Sequence, residues 1–159
     1  MIRRSLSSTT LGCRSYGTMN HADVMNSCDT KADRVGMANL TQAEQVIVMV
    51  SRANFEIELG GLSAFFYNSA GNYAVETVAA LEAIGAENAA GVLRTAIARF
   101  PGGSVPTDRE QRYAGWMSVS GSFGPLDQEY YRNEPDVFSR LCAFIDAHAA
   151  ELWEHAEEV

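Results

Sequence analysis

The sequence predicts an all-α fold in a single compact domain of about eight helices, and three observations carry that expectation. Thr41–Glu44 and Thr107–Glu110 both read as helix-capping boxes, in which a hydroxyl and a carboxylate each satisfy an orphan backbone N–H. From His21 onward apolar residues recur at three- and four-residue steps, the period of an amphipathic helix. Glycine and proline then punctuate these segments and leave only short connections. A chain of 159 residues, 47% hydrophobic and 20% charged, is long enough for one sizeable core and too short for two ordinary domains.

Residues 1–20 stand apart. They hold Arg3, Arg4 and Arg14 with no acid, and no apolar run of the kind a secretory signal needs. They read as a basic leader, disordered or lying upstream of a true start at Met19, with an organelle transit peptide as the alternative. The folded domain is therefore expected over 21–159. Its first helix covers about 22–36 and stops at Gly36. The segment from Thr41 to Leu59 carries two apolar stripes, Ala43, Val46, Ile47, Val50, Ala53 and Ile57 on one side and Val48, Phe55 and Leu59 nearly opposite. A helix with two such stripes has to be covered twice, so it belongs at the centre of the domain. A buried strand over Val46–Val50 competes, given its β-branched residues, but the cap and the absence of a turn before Gly60 favour helix.

Gly60-Gly61 breaks that helix, serving either a close helix approach or a backbone with positive φ. Leu62–Tyr67 starts another short helix, which ends near Gly71-Asn72. Ala74–Ile84 turns Ala74, Val78, Leu81 and Ile84 to one face, and Gly85 sits where a left-handed residue ends a helix. Glu87–Arg99 has an acid in its first turn and Arg99 in its last, matching the helix dipole, with Ala89, Leu93, Ala96, Ile97 and Phe100 inward. These two segments form an αα-hairpin. After a stiff loop over 101–106, Thr107 opens a helix to about Met117. Residues 121–124 are loop, Pro125–Arg132 is a short helix, and Pro135 opens the last one, which buries Phe138, Leu141, Ile145, His148 and Leu152 and runs to about His155.

Most motifs of catalysis and binding are missing. The glycines at 102 and 103 are not followed by G-K-[ST], and Gly121–Gly124 is a lone G-x-x-G with no strand before it. There is no G-x-S-x-G elbow, so the chain is expected not to be an enzyme and to need no cofactor. His148, Glu151 and His155 share a helical face, but seven residues of helix separate the histidines by ~10 Å of rise. One zinc ion, at ~2 Å from each ligand nitrogen, cannot take both, and no metal is expected. Cys13, Cys28 and Cys142 are odd in number and far apart, which argues against a disulfide framework and for a reducing cytoplasm. Cys142 reads as core. No apolar run approaches the ~18 residues of a membrane span. Phe65, Phe66, Tyr67 and Tyr73 read as packing around the glycine bend, with a small-ligand pocket near Tyr67, Asn68 and Tyr73 as the alternative.

Charge is the most informative property. The net is −8, and residues 21–159 alone carry 20 acids and nine bases. Nucleic acid and anionic membranes are polyanions and would be repelled. A basic protein is the complementary partner. Residues 127–159 hold nine acids and two bases, and within them Asp127, Glu129, Asp136, Asp146, Glu151, Glu154, Glu157 and Glu158 are the candidate partner-binding residues. Glu151, Glu154 and Glu158 follow three- and four-residue steps along one face.

One long stretch resembles a known family. Glu58 to Tyr73, Glu76-Thr77 with Ala80-Leu81, Ile84-Gly85-Ala86 and Phe100-Pro101-Gly102-Gly103 look like the bacterial DNA-mimic protein (DMP) type domain, long catalogued as a domain of unknown function. The similarity spans about residues 22–153 and is densest over 54–112, where Pro106 and Asp108-Arg109-Glu110 also fit. Leu59 and Ala64 depart from it, standing where a polar residue and Gln are usual. The resemblance implies an all-helical, acidic, homodimeric cytoplasmic protein without catalysis, which imitates the charge of double-stranded DNA and occupies the DNA-binding face of a transcription factor. A duplex presents a charge every ~1.7 Å, so a face ~30 Å long needs roughly eighteen. One protomer falls short of that, and two brought together come nearer. An antitoxin-like role against a basic toxin is the alternative within the same class.

Overall fold

A computed structural model describes residues 20–154. Seven α-helices follow one another among the described residues, α1 (His21–Val35), α2 (Gln42–Tyr67), α3 (Ala74–Ala83), α4 (Glu87–Ala98), α5 (Arg109–Val119), α6 (Gly124–Ala147) and α7 (Ala149–Glu154), joined by short connections of which four contain a 3₁₀ turn, with no strand among the described residues. The basic leader lies outside them up to residue 19. Asn20, its expected last residue, is instead the N-cap of α1, its side chain accepting from the Asp23 N–H at 2.9 Å. The expected helix end at Gly36 holds, and its φ of 85° is a conformation glycine adopts without strain.

Helix α2 is the hub, in contact with α1, α3, α5 and α6. Thr41 and Glu44 form the expected capping box. Glu44 does more: it is 5% exposed, and Lys31 of α1 meets its two carboxylate oxygens at 2.7 and 3.0 Å. That pairing is what lets a carboxylate lie at the α1–α2 interface. All six residues of the first apolar stripe are buried. The second stripe divides, because Val48 is fully buried while Phe55 and Leu59 are 60% and 69% exposed. Helix α1 runs antiparallel to α2, with Lys31 near Glu44 and Asp29 near Arg52. Its first turn reaches Phe55, where Ala22 and Met25 line a shallow groove with it, and α1 extends no further along α2.

Gly60 (φ −155°, ψ 24°) and Gly61 (φ 68°, ψ −170°) are not helical and bend α2 near its end. The bend leaves the Leu62 N–H without its helical acceptor. Asp127 of α6 supplies one, with Oδ1 2.8 Å from that nitrogen. A Cβ on Gly61 would stand 2.9 Å from the same carboxylate, so both expected reasons for the glycine pair, positive φ and close approach, apply at Gly61. Beyond the bend Phe65 and Phe66 enter the core. Phe66 lies 5.1, 4.8 and 5.5 Å from the rings of Phe65, Phe100 and Phe123.

The αα-hairpin of α3 and α4 closes as expected. The Gly85 N–H reaches Glu82 O and the Ala86 N–H reaches Leu81 O, both at 2.8 Å, with Gly85 at φ 79°. This is the hydrogen-bond pattern of a glycine-terminated helix. The residues assigned inward on both arms are buried.

The C-terminal third differs from expectation. Pro125–Arg132 and the helix expected to open at Pro135 are one continuous helix, α6, with Pro135 inside it. Proline there removes one backbone hydrogen bond. Leu126 and Tyr130 before it, and Val137, Leu141 and Ile145 after it, are all buried, so the core holds both halves in line. Continuity also sets the helical phase. Eleven residues make three turns within about 20°, which aligns Val137 with Leu126 and turns Phe138 outward to 51% exposure. The helix breaks at His148 rather than continuing to His155. There the ring is half-buried, stacks on Phe144 at 4.0 Å between centroids and bonds the Phe144 carbonyl through Nδ1 at 2.8 Å. At the second capping box the cap is Asp108, accepting from the Gln111 N–H at 2.9 Å, not Thr107.

Two outcomes test the bend. Gly61→Ala forces φ 68° on a residue with a Cβ and drives it into Asp127, so stability should fall by about 1–3 kcal/mol in urea unfolding. Burial raises the Asp127 pKa above 3.8 and outweighs the opposing effect of the Leu62 N–H. The folded state then holds this proton more tightly than the unfolded chain, and stability declines as pH rises from 3.8 through the folded pKa. Asp127→Asn keeps the acceptor and removes the titration. The wild-type stability minus that of Asp127→Asn should therefore shrink across this window, and a growing difference would contradict the assignment.

Candidate functional site

Of the eight acids singled out near the C-terminus, the five whose side chains are described, Asp127, Glu129, Asp136, Asp146 and Glu151, sit in different environments. Asp127 is half-buried and holds the Leu62 N–H. Asp136 pairs with Arg140 one turn on, at 2.7 Å, and Asp146 meets His21 of α1 at 2.8 Å. Glu129 is exposed, with Arg132 three residues along the same outer face of α6. Glu151 is half-buried. Glu154 ends α7, while Glu157 and Glu158 lie outside the described residues. Alternating sign along α6 therefore weakens the negative potential that the bare count suggests.

The basic residues are drawn into the structure more than the acidic ones. Lys31, Arg52, Arg94 and Arg140 are in ion pairs, and Arg52 joins both Asp29 and Asp33. Arg99 donates to the Ser122 carbonyl. Glu58, Glu76, Glu87, Glu110 and Glu129 are exposed with no ion pair among the described residues. They are distributed over α2 to α6, so the surplus charge is spread over several elements.

The second arrangement is a cleft of about 570 Å³ where the end of α2 meets the start of α5, lined by Glu56, Asn68, Asn72, Thr107, Arg109 and Arg112 among others. Arg112 forms its inner wall and is 2% exposed. Its Nε donates to Phe66 O at 2.8 Å, and Nη1 to Thr107 O at 2.9 Å and Pro106 O at 3.1 Å. Asn68 O lies 3.4 Å from Nη2. A single side chain thus holds the carbonyl end of α2 against the 106–107 loop, and its charge suits the negative pole of that helix. Every one of these acceptors is a backbone carbonyl. Burial, and then the nearby Arg109 charge, push the Arg112 pKa below the ordinary guanidinium value, while Asp108 opposes them. Arginine remains charged even so. Glu56, on the facing wall, accepts from Asn68 Nδ2 at 2.6 Å.

A smaller cleft of about 340 Å³ adjoins it, lined by Tyr67, Arg109, Glu110 and Tyr113. Its rings belong to a surface aromatic group in which Tyr67, Tyr113 and Trp116 lie 5.5–5.7 Å apart, and the Arg109 guanidinium sits 5.7 Å from the Tyr67 ring centroid. The pocket considered around Tyr67, Asn68 and Tyr73 thus divides. Asn68 lines the polar cleft, Tyr67 the aromatic one, and Tyr73 is a half-buried residue of the 3₁₀ turn. Arg109 and Arg112 were missed as functional residues. Arginines three apart at a helix start are unremarkable in a sequence, and only the fold brings the end of α2 to them.

Neither cysteine among the described residues is activated. Cys28 is buried, which with the Glu44 charge lifts its pKa to about 11. Cys142 is half-exposed rather than core, and its pKa is also raised by burial. Thiolate chemistry is disfavoured at both. No helix among the described residues is long and apolar enough to cross a membrane.

Arg112→Lys keeps the charge and loses the planar fork that reaches four carbonyls at once. It should cost about 2–3 kcal/mol of stability. Urea unfolding measures this, and an unchanged midpoint would show that the carbonyls find other donors.

No curated protein matches this chain, and no solved structure does. A family model described as DMP19-like protein matches residues 38–148. That range takes in the α2 bend with its Asp127 partner, the α3–α4 hairpin and both clefts, and the chain belongs to the DMP19-like protein family.

Proposed function

We propose that this chain is a non-enzymatic, acidic interaction protein of the cytoplasm that receives a basic protein partner, a DNA-binding regulator for which its surface stands in for duplex DNA. The supporting observation is the imbalance between engaged cations and free acids. Five of the nine bases in residues 20–154 are consumed by ion pairs or by burial, while Glu58, Glu76, Glu87, Glu110 and Glu129 face solvent unpaired among the described residues. Such a surface attracts a cationic protein at long range and repels nucleic acid.

The charge of one protomer is diffuse and too small for a duplex-like face, so the reading includes a homodimer. Phe55 and Leu59 on α2 and Phe138 on α6 give it an apolar basis, since all three are more than half exposed. Large apolar side chains left at a surface are what a second copy can cover.

Binding of this kind weakens steeply with salt. A partner retained from cytosol at about 50 mM salt should be lost at about 500 mM. Replacing the five exposed glutamates by glutamine should also reduce capture by about tenfold or more. Competition with duplex DNA then separates the partners. A regulator releases DNA when the chain binds, whereas a basic toxin inhibited away from any DNA site does not. Salt-insensitive capture would overturn the electrostatic reading, and a monomer in sedimentation at micromolar concentration would overturn the dimer.

A further inference from the structure

The two adjoining clefts at the α2–α5 junction have a chemistry the acidic surface does not use. The protein has a net charge of −8, yet the polar cleft gathers two guanidiniums against one carboxylate, Glu56, while Glu110 lines the aromatic cleft. That carboxylate, Glu56, is already engaged by the Asn68 amide at 2.6 Å. Arg112 is fixed behind the wall, 2% exposed and bonded only to backbone carbonyls, so its charge is held in place at the cleft. Arg109 is exposed, and the polar and aromatic clefts both include it. On one side of it are the amides of Asn68 and Asn72 and the Thr107 hydroxyl; on the other are the rings of Tyr67 and Tyr113, 5.7 Å apart edge to face. A concave site with a few convergent polar groups beside aromatic surface is the usual form of a small-molecule site.

We propose that this junction binds a small organic oxyanion, a carboxylate or phosphate monoester joined to a flat ring. The anionic group takes the polar cleft, where Arg109 contacts it directly and Arg112 contributes fixed positive potential. The ring lies against Tyr67 and Tyr113. Arg109 now rests over Tyr67, and its long side chain can turn from the ring to an oxyanion without moving the backbone. This site shares only Glu110 with the five exposed glutamates of the acidic surface, and its test does not involve a protein partner.

Titration calorimetry on the full chain tests it with four probes: phenyl phosphate, benzoate, inorganic phosphate and phenol. At least one aryl anion should bind at concentrations of about 1 mM or below, with inorganic phosphate weaker and phenol silent. The preference between phenyl phosphate and benzoate identifies the anion. Arg109→Gln should weaken binding by about tenfold or more. Arg109 is exposed and donates no hydrogen bond to the rest of the described protein, so this variant should keep the wild-type urea midpoint. Glu56→Gln should strengthen binding by removing a like charge. Failure of both aryl anions to bind, equal binding of phenol, or an affinity unchanged by Arg109→Gln would each overturn the proposal. Weaker binding by Glu56→Gln would overturn it too, since the ligand would then need a cationic group.

Discussion

A helix that must turn before it ends is the constraint on which the rest of this molecule depends. Helix α2 is in contact with four others, and a straight continuation past Gly60 would carry Phe65 and Phe66 away from the core they share with Phe100 and Phe123. The bend corrects their direction and exposes the Leu62 N–H. Asp127 answers it from α6, which runs antiparallel alongside: Tyr131 Oη donates to Ile57 O at 3.1 Å and Tyr130 Oη to Asn54 Oδ1 at 2.6 Å. A half-buried carboxylate is the cost of this arrangement, and its raised pKa records that cost.

The same bend builds the candidate site. Leaving the core after Phe66, the chain brings Tyr67 and Asn68 to the surface and ends α2 with open carbonyls. Arg112 closes that end from α5, and in doing so carries a permanent charge into the wall of a cleft. Fold and site are therefore coupled at one side chain, whereas Arg109, one turn earlier, is left free of structural duty. Elsewhere Lys31, Arg52, Arg94 and Arg140 are engaged by neighbouring acids. That division leaves a surface negative in general and one polar cleft where guanidiniums outnumber carboxylates.

Local physics was legible wherever one element decided the outcome. The cap at Thr41 and Glu44, the stops at Gly36 and Gly85, the hairpin, and the inward faces of α3 and α4 follow from backbone geometry and a 3.6-residue period. Errors gathered where two elements had to agree. Pro135 looked like a helix start because proline suits that position, but buried residues on both sides keep α6 continuous. Phe55 and Leu59 looked inward because the stripe they extend begins at Val48, which α1 covers. Helix α1 reaches no further than Phe55.

The sequence by itself determined that this chain is helical, acidic and built around the segment from Thr41 to Leu59, because capping, periodicity and charge count are properties of neighbouring residues or of the whole composition. Only the tertiary structure decided which carboxylates are free. Asp127, Asp136 and Asp146 each met a partner that lies on another helix or depends on helical phase, and a count of acids cannot see a partner. It also decided where positive charge remains, since a guanidinium that closes the end of a distant helix is, in sequence, one arginine among eleven.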